Sequence, residues 1–399
     1  GVPDEGDRRW YTSVILNRLM FVYFLQRKGF VDHDLDYLSH KLTEVQASHG
    51  PDHYYGSFLR ALFFEGFARP PAQRSAEARA LLGDVRYLNG GLFLPHPIEE
   101  KYADAIAIPD IAFEELFDLF DHYSWHLDDT PGGQDDEINP AVLGYIFEKY
   151  INQKAFGAYY TRAEITEYLC EQTIHKLILE RVAEALTPLP GQPAPPTFES
   201  VPELLMQLDA TTCSLLLHDI LPGLSLLDPA CGSGAFLVAA MKTLETIYEG
   251  VVGRIDFLKD GALTQWRATV QREHPNLTYF IRKRIITDNL FGVDIMPEAV
   301  EIARLRLFLA LVAAATTVED LEPLPNIDFN ILAGNSLIGL LRVDETQYQG
   351  RLGEESYATL VARKNAMVQQ YRHASQHAEL RHNAQAVAAL RDQIEQHRA

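Results

Sequence analysis

Residues 10–30 carry apolar side chains on nearly every face of a 3.6-residue period, which predicts a buried helix. Arg27 and Lys28 favour its carboxyl end, and Gly29 supplies a left-handed cap. Further helical periodicity covers about 54–68 and 74–82, and Phe113, Leu116, Phe117 and Phe120 give 113–123 one apolar stripe. Asn89-Gly90-Gly91 between short apolar runs marks a turn compatible with a small hairpin. Asn139 then Pro140 supply a cap and a first-turn proline for a helix over 141–151. Helices follow at 163–186 and 201–209, separated by the proline-rich stretch 187–202, which is expected to be an exposed loop.

Downstream the period changes. Strand patterns at 224–228, 290–294 and 327–332 alternate with helical patterns at 235–249 and 297–313, the mark of a parallel α/β sheet. The helical stretch 250–284, with Arg282-Lys283-Arg284, is expected to be an insertion looped out between the first two strands. From about Glu354 the chain is polar and helix-prone, which predicts one or two surface helices. The expected organisation is a helical domain over 1–152, an α/β core over 153–345 and a helical spacer over 346–399.

Composition narrows the class. The 399 residues are 47% hydrophobic, enough for a large core in two or three domains. The formal net charge of −20 disfavours the chain as a whole as a strong phosphate binder, without excluding a local basic groove. Three cysteines (Cys170, Cys213, Cys231) with no C-x-x-C pair predict neither a disulfide framework nor a cysteine zinc site, and fit a reducing, cytoplasmic setting. The most apolar run, Val14 to Leu25, is too short and too polar to span a bilayer, and no signal peptide precedes it.

The chemistry concentrates around Asp228-Pro229-Ala230-Cys231-Gly232-Ser233-Gly234-Ala235-Phe236. A buried strand (Leu224, Leu226, Leu227) runs through a glycine turn into a helix, whose first N–H groups are expected to face a ligand at the strand's carboxyl end. A glycine turn alone serves equally as a plain strand–helix connection. Phe291-Gly-Val-Asp294-Ile295 ends a second strand in an acid that can accept ribose hydroxyls or cap the helix opening at Pro297. Asn335-Ser336 follows the third strand. Asn335 offers a donor and an acceptor for an adenine edge, and Gly-Asn-Ser is otherwise an ordinary turn. Upstream, Tyr160 and Thr161 sit between two helices, where Thr161 is able to cap the second and exposed N–H groups could hold a carboxylate. Cys231 has no base placed to make it a nucleophile, and the tail histidines, His373 and His377 among them, are read as a solvated face.

Taken in order, these pieces resemble the adenine-N6 DNA methyltransferases of restriction–modification and phage-defence systems, in particular large single-chain type II enzymes. The similarity spans roughly residues 10–340 and includes Tyr87-Leu-Asn-Gly-Gly-Leu-Phe93 and Leu143-Gly-Tyr-Ile-Phe-Glu-Lys-Tyr150. It implies a class I, Rossmann-like fold binding S-adenosylmethionine (AdoMet), with no metal needed for methyl transfer. Tyr160 and Thr161 would hold the methionine carboxylate, and Asp228, Pro229, Ala230, Gly232, Gly234 and Phe236 the main loop. Asp294 would take the ribose, with Ile295 as its apolar neighbour, and Asn335 with Ser336 would complete the cofactor site as the adenine-binding position. Implied partners are double-stranded DNA and a restriction or defence subunit. The family's Asn-Pro-Pro-Tyr/Phe tetrapeptide does not occur, and Asn139-Pro140-Ala141-Val142 lacks its second proline and aromatic ring. No catalytic residue is therefore assigned. The expected chain is the cofactor-binding part of such an enzyme, inactive by itself; a non-catalytic AdoMet-binding subunit and a methyltransferase acting on RNA or protein are the alternatives.

Overall fold

The computed structural model describes residues 2–88, 91–127, 136–152, 161–187, 196–338, 357–373, 389–391 and 393–394. They divide into two compact units, residues 1–124 with 322–399, and residues 125–321. The division expected at 152 falls within the second unit, while 345 lies outside the described residues.

The first unit is helical. Its longest helix, Glu5–Arg27, is capped by the Asp4 carboxylate and buries Leu19, Phe21, Val22, Phe24 and Leu25 at 1% exposure or less. Gly29 adopts a positive φ of 70° after the last turn, as its position predicted. Tyr37–His49 is a helix that the sequence pattern did not announce, because its apolar positions (Tyr37, Leu38, Leu42, Val45) are spread among polar residues. The stretch expected at 54–68 forms two successive wide, π-type turns, Tyr54–Leu59 and Leu62–Phe67. No hairpin forms at Gly91, since Gly91–Phe93 is a 3-10 turn; Asn89 and Gly90 lie outside the described residues.

A buried polar group organises this unit. The Arg18 guanidinium donates to the Leu92 and Leu94 carbonyls at 2.8 Å each and to Glu99 Oε1 at 2.7 Å. Tyr11 donates to the same oxygen at 2.7 Å, and the His96 amide donates to Glu99 Oε2 at 2.8 Å. A charge so deep is tolerable only because every direction of the guanidinium fork meets an acceptor.

The described part of the tail is a surface helix, as expected, with one packed face. Tyr357–Arg372 presents Val368 and Tyr371 to a small core with Ile394, against which Phe329, Met367 and Leu390 pack. Tyr371 donates to Asp328 Oδ2 at 2.5 Å, and its carbonyl accepts from the buried Asn326 side chain at 2.9 Å. Burial at this one face overrides a polar composition.

The second unit holds a parallel strand pair, Leu226–Asp228 on Leu290–Asp294, in the register Leu226 with Leu290, Leu227 with Phe291 and Asp228 with Gly292. Helices Ala235–Leu258 and Pro297–Ala314 follow these strands. The segment expected to loop out is instead packed structure: Ala235–Leu258 continues through it, and Gly261–Glu273 and Leu277–Asp288 bury Leu263, Val270, Tyr279, Ile281, Ile285 and Ile286. The first strand is less buried than its leucines suggested, since Leu227 is 63% exposed. Among the described residues no helix is long and apolar enough to cross a membrane.

Candidate functional site

The chain leaves the first strand at Asp228 and turns through residues 229–234 into helix Ala235–Leu258. Gly232 (φ 52°) and Gly234 (φ 84°) occupy the left-handed region that L side chains rarely adopt. Space forbids a side chain at both. A Cβ at Gly232 would lie 2.6 Å from Glu148 Oε1, and one at Gly234 would lie 3.2 Å from the Ala303 Cα. Gly292 on the second strand is equally constrained, because its Cβ would meet Cys231 Sγ and Leu237 at 3.0 Å.

The amides of the turn that precedes helix Ala235–Leu258 are held by the protein itself. The Ala230 N–H donates to Asp228 Oδ1 at 3.1 Å, Cys231 to the Val293 carbonyl at 3.0 Å, and Gly232 to Asp294 Oδ2 at 2.9 Å. Ser233 donates to Glu148 Oε1 at 2.8 Å, and Gly234 to the Cys231 carbonyl at 2.8 Å. The turn is thus pre-shaped by its own surroundings, and three of its five amides face carboxylates. That environment opposes a phosphate and suits a neutral or cationic nucleoside.

Asp294 does two things at the end of the second strand. Its Oδ2 holds Gly232, and its Oδ1 accepts the Met296 N–H at 2.9 Å, so it turns the chain into helix Pro297–Ala314. The cap reading is realised in this carboxylate, whose oxygens also retain lone pairs able to accept hydroxyls. Ile295 beside it is 63% exposed, an apolar surface next to a polar strand end. Pro229 and Ala230 are exposed, while Phe236 is half-buried on the first helical turn. Burial pushes the Asp228 carboxyl above its ordinary range; the Ala230 amide opposes this and the Asp294 charge adds to it. Burial likewise pushes the Cys231 thiol up to about 12, helped by Asp228 and Asp294, so it is no thiolate nucleophile near neutrality.

Thr161 does not cap the helix after it; Ala163–Ala185 begins at Arg162 without a side-chain cap, because the helix starts one residue later than Thr161 would require. Tyr160 lies outside the described residues. Asn335 and Ser336 are exposed residues after the strand Ile331–Ala333 and belong to the first unit. Asn335 Oδ1 accepts the Leu337 N–H at 2.9 Å, the turn chemistry that Gly-Asn-Ser also allowed.

Two residues that sequence reasoning passed over do reach the turn. Glu148 stands in the wide turn Phe147–Asn152 that follows helix Pro140–Ile146 and is 7% exposed. Arg306, 4% exposed, lies in helix Pro297–Ala314 and donates from Nη1 to the Ser233 carbonyl at 3.0 Å and to its hydroxyl at 3.3 Å. Each is a charge inside an apolar run (Leu-Gly-Tyr-Ile-Phe-Glu, Leu-Arg-Leu-Phe-Leu), and that conflict was the available signal.

Residues 208–339, which contain this turn, match the family model described as MmeI, DNA-methyltransferase domain. The chain is similar to methyltransferases of restriction–modification systems. It is 35% identical over 351 residues to a putative type II restriction enzyme and methyltransferase of Methanocaldococcus jannaschii, covering 84% of this chain and 28% of that protein. The adenine-specific methyltransferase BrxX of Escherichia coli O9:H4 is 24% identical over 319 residues, 72% of this chain and 23% of BrxX. The type II enzyme RM.Eco57I of Escherichia coli is 32% identical over 117 residues, 28% of this chain and 11% of that enzyme. This chain therefore spans under a third of the length of each of these relatives. Its fold is that of part of the type IIL restriction–modification enzyme MmeI, solved in complex with DNA, at a TM-score of 0.51 and 20% identity over 84% of this chain and 38% of MmeI.

Proposed function

We propose that this chain supplies the AdoMet-binding part of a site-specific DNA adenine-N6 methyltransferase in a restriction–modification or phage-defence system, with a class I methyltransferase sheet. The observation that carries the reading is the Asp228–Gly234 turn, held by Asp294, inside the segment that matches a DNA-methyltransferase domain.

The residues fit AdoMet by their chemistry. Gly232 and Gly234 give the turn its left-handed course, and the space a Cβ would take at each is filled by Glu148 and Ala303, so the turn is packed into one shape. Asp294 would receive the ribose hydroxyls and Ile295 the face of the adenine. Asp228 sets a negative charge where a cationic ligand favours it. Bound AdoMet would supply the methyl group and its sulfonium leaving group; the protein's share is to orient it and keep water away. Thr161 and Tyr160 are retained as proposed contacts to the methionine carboxylate, and Asn335 and Ser336 as proposed cofactor contacts at the adenine. DNA is the proposed substrate, since MmeI was solved in complex with DNA. No residue of this chain is proposed as catalytic.

The test is transfer of tritium from labelled AdoMet by the complete protein to unmethylated plasmid, to RNA and to protein, with N6-methyladenine identified by mass spectrometry. Label in plasmid adenine is the expected result. Label in RNA or protein alone, or AdoMet binding without transfer to any acceptor, would replace this reading.

A further inference from the structure

Glu148 reaches the glycine turn from a segment 85 residues upstream of Ser233. Its Oε1 accepts the Ser233 N–H at 2.8 Å and occupies the volume that a Cβ on Gly232 would claim, 2.6 Å away. Arg306 Nη1 donates to the carbonyl and the hydroxyl of the same residue, Ser233. Ser233 itself is 1% exposed. The segment carrying Glu148 is fitted to this arrangement: a Cβ on Gly144 would lie 2.5 Å from Arg306 Nη1 and 3.2 Å from the Ser233 hydroxyl. Phe147, next to Glu148, packs with Met296, Ala299 and Ile302, which open the helix that bears Arg306.

We infer that Glu148 is a positioning residue of the cofactor site, holding the Ser233 amide so that the glycine turn is set before AdoMet arrives. Arg306 holds the carbonyl and hydroxyl of the same residue. The turn has two left-handed glycines, and such a turn is floppy unless its amides are held from outside. Asp294 holds Gly232 and Glu148 holds Ser233, so the two residues whose positions shape the cradle are each fixed by a carboxylate from another element. With Glu148 lost, the Ser233 amide is left buried and unpaired, and the turn must shift to find another acceptor. The role is one of reach and acceptance, not of charge on the ligand.

This inference rests on the proposed AdoMet reading, and the experiment separates the two. AdoMet affinity is measured by calorimetry on the complete protein and on Glu148→Gln, Glu148→Asp and Glu148→Ala, together with the AdoMet KM and kcat of methyl transfer and the thermal midpoint without ligand. Glu148→Gln keeps an oxygen at the same reach and is expected to bind within about threefold of wild type. Glu148→Asp withdraws the oxygen by one methylene and is expected to bind about tenfold more weakly, as is Glu148→Ala. The loss should appear in the AdoMet KM, with kcat at saturating AdoMet and the DNA KM little changed. Should Glu148→Ala fail to fold, the Gln and Asp pair still decides. Equal affinity of Gln, Asp and wild type overturns the inference, and so does a loss in Gln as large as in Asp, which would assign the effect to charge. Wild-type protein that binds no AdoMet sinks the functional reading instead.

Discussion

The Asp294 carboxylate accepts the Gly232 amide at 2.9 Å while its other oxygen accepts the Met296 amide at 2.9 Å. One side chain thus fixes both the glycine turn after the first strand and the helix start after the second. Asp294→Asn presents an NH₂ to one of these two N–H donors and turns an attraction into a clash. AdoMet affinity should fall by about tenfold or more, consistent with the loss of a hydrogen bond to a charged acceptor. Calorimetry measures it, and an unchanged affinity would remove Asp294 from the site.

Gly234 is confined by backbone as well as by its φ of 84°, since a Cβ would approach the Ala303 Cα at 3.2 Å. Ala303 must give by a few tenths of an ångström to relieve that contact. Gly234→Ala should therefore cost about 2 kcal/mol or more of stability and abolish tight AdoMet binding. Gly223, whose Cβ would meet nothing within 4 Å, is the matched control; Gly223→Ala should be close to neutral in chemical denaturation.

Arg18 and Glu99 form the buried centre of the first unit, 2.7 Å apart, with exposures of 1% and 9%. Arg18→Met leaves the Glu99 charge and two carbonyls without their donor. A loss of about 3–5 kcal/mol is expected, read as a lowered denaturant midpoint. The double variant Arg18→Met with Glu99→Gln should recover part of it, because no charge is then stranded.

His96 gives the same region a pH dependence. Burial and the Arg18 guanidinium lower its imidazole from 6.5 to about 4, and its Nδ1 accepts the Ile98 N–H at 3.2 Å, which a protonated ring cannot do. Between those two values the unfolded chain binds the proton and the folded one does not, so stability should fall as pH drops from about 6.5 to about 4. Glu99, held below its ordinary 4.5 by Arg18 against the opposing effect of burial, adds loss only at lower pH. His96→Asn keeps an acceptor that does not titrate. Its denaturation midpoint should be flatter over that window, and an unchanged slope would show that another group is responsible.

Tyr371 is fully buried and ties helix Tyr357–Arg372 to Asp328 and Asn326. Tyr371→Ala removes the ring that contacts Phe329 and opens the small core with Val368 and Ile394. Limited proteolysis should then cut within 357–372 at a rate that leaves the wild-type helix intact. Equal cleavage of both would mean that the packing contributes little.

What the sequence determined by itself was local. The strand–glycine turn–helix, the acid at the end of the second strand and the cap at Asn139 follow from backbone rules acting over a few residues, and each stands where those rules put it. Three things depended on tertiary structure. The surface helix Tyr357–Arg372 packs one face because its Tyr371 ring found a core. The stretch 250–284 became packed helices because its apolar faces met Ala235–Leu258 and Pro297–Ala314 rather than water. Glu148 and Arg306 became part of the glycine turn because a buried charge must find a partner wherever the fold brings one, and no spacing rule announces a partner 85 or 73 residues away. Periodicity and turn chemistry record what a residue does to its neighbours in the chain. Which amide a distant carboxylate meets is decided only when the whole unit closes.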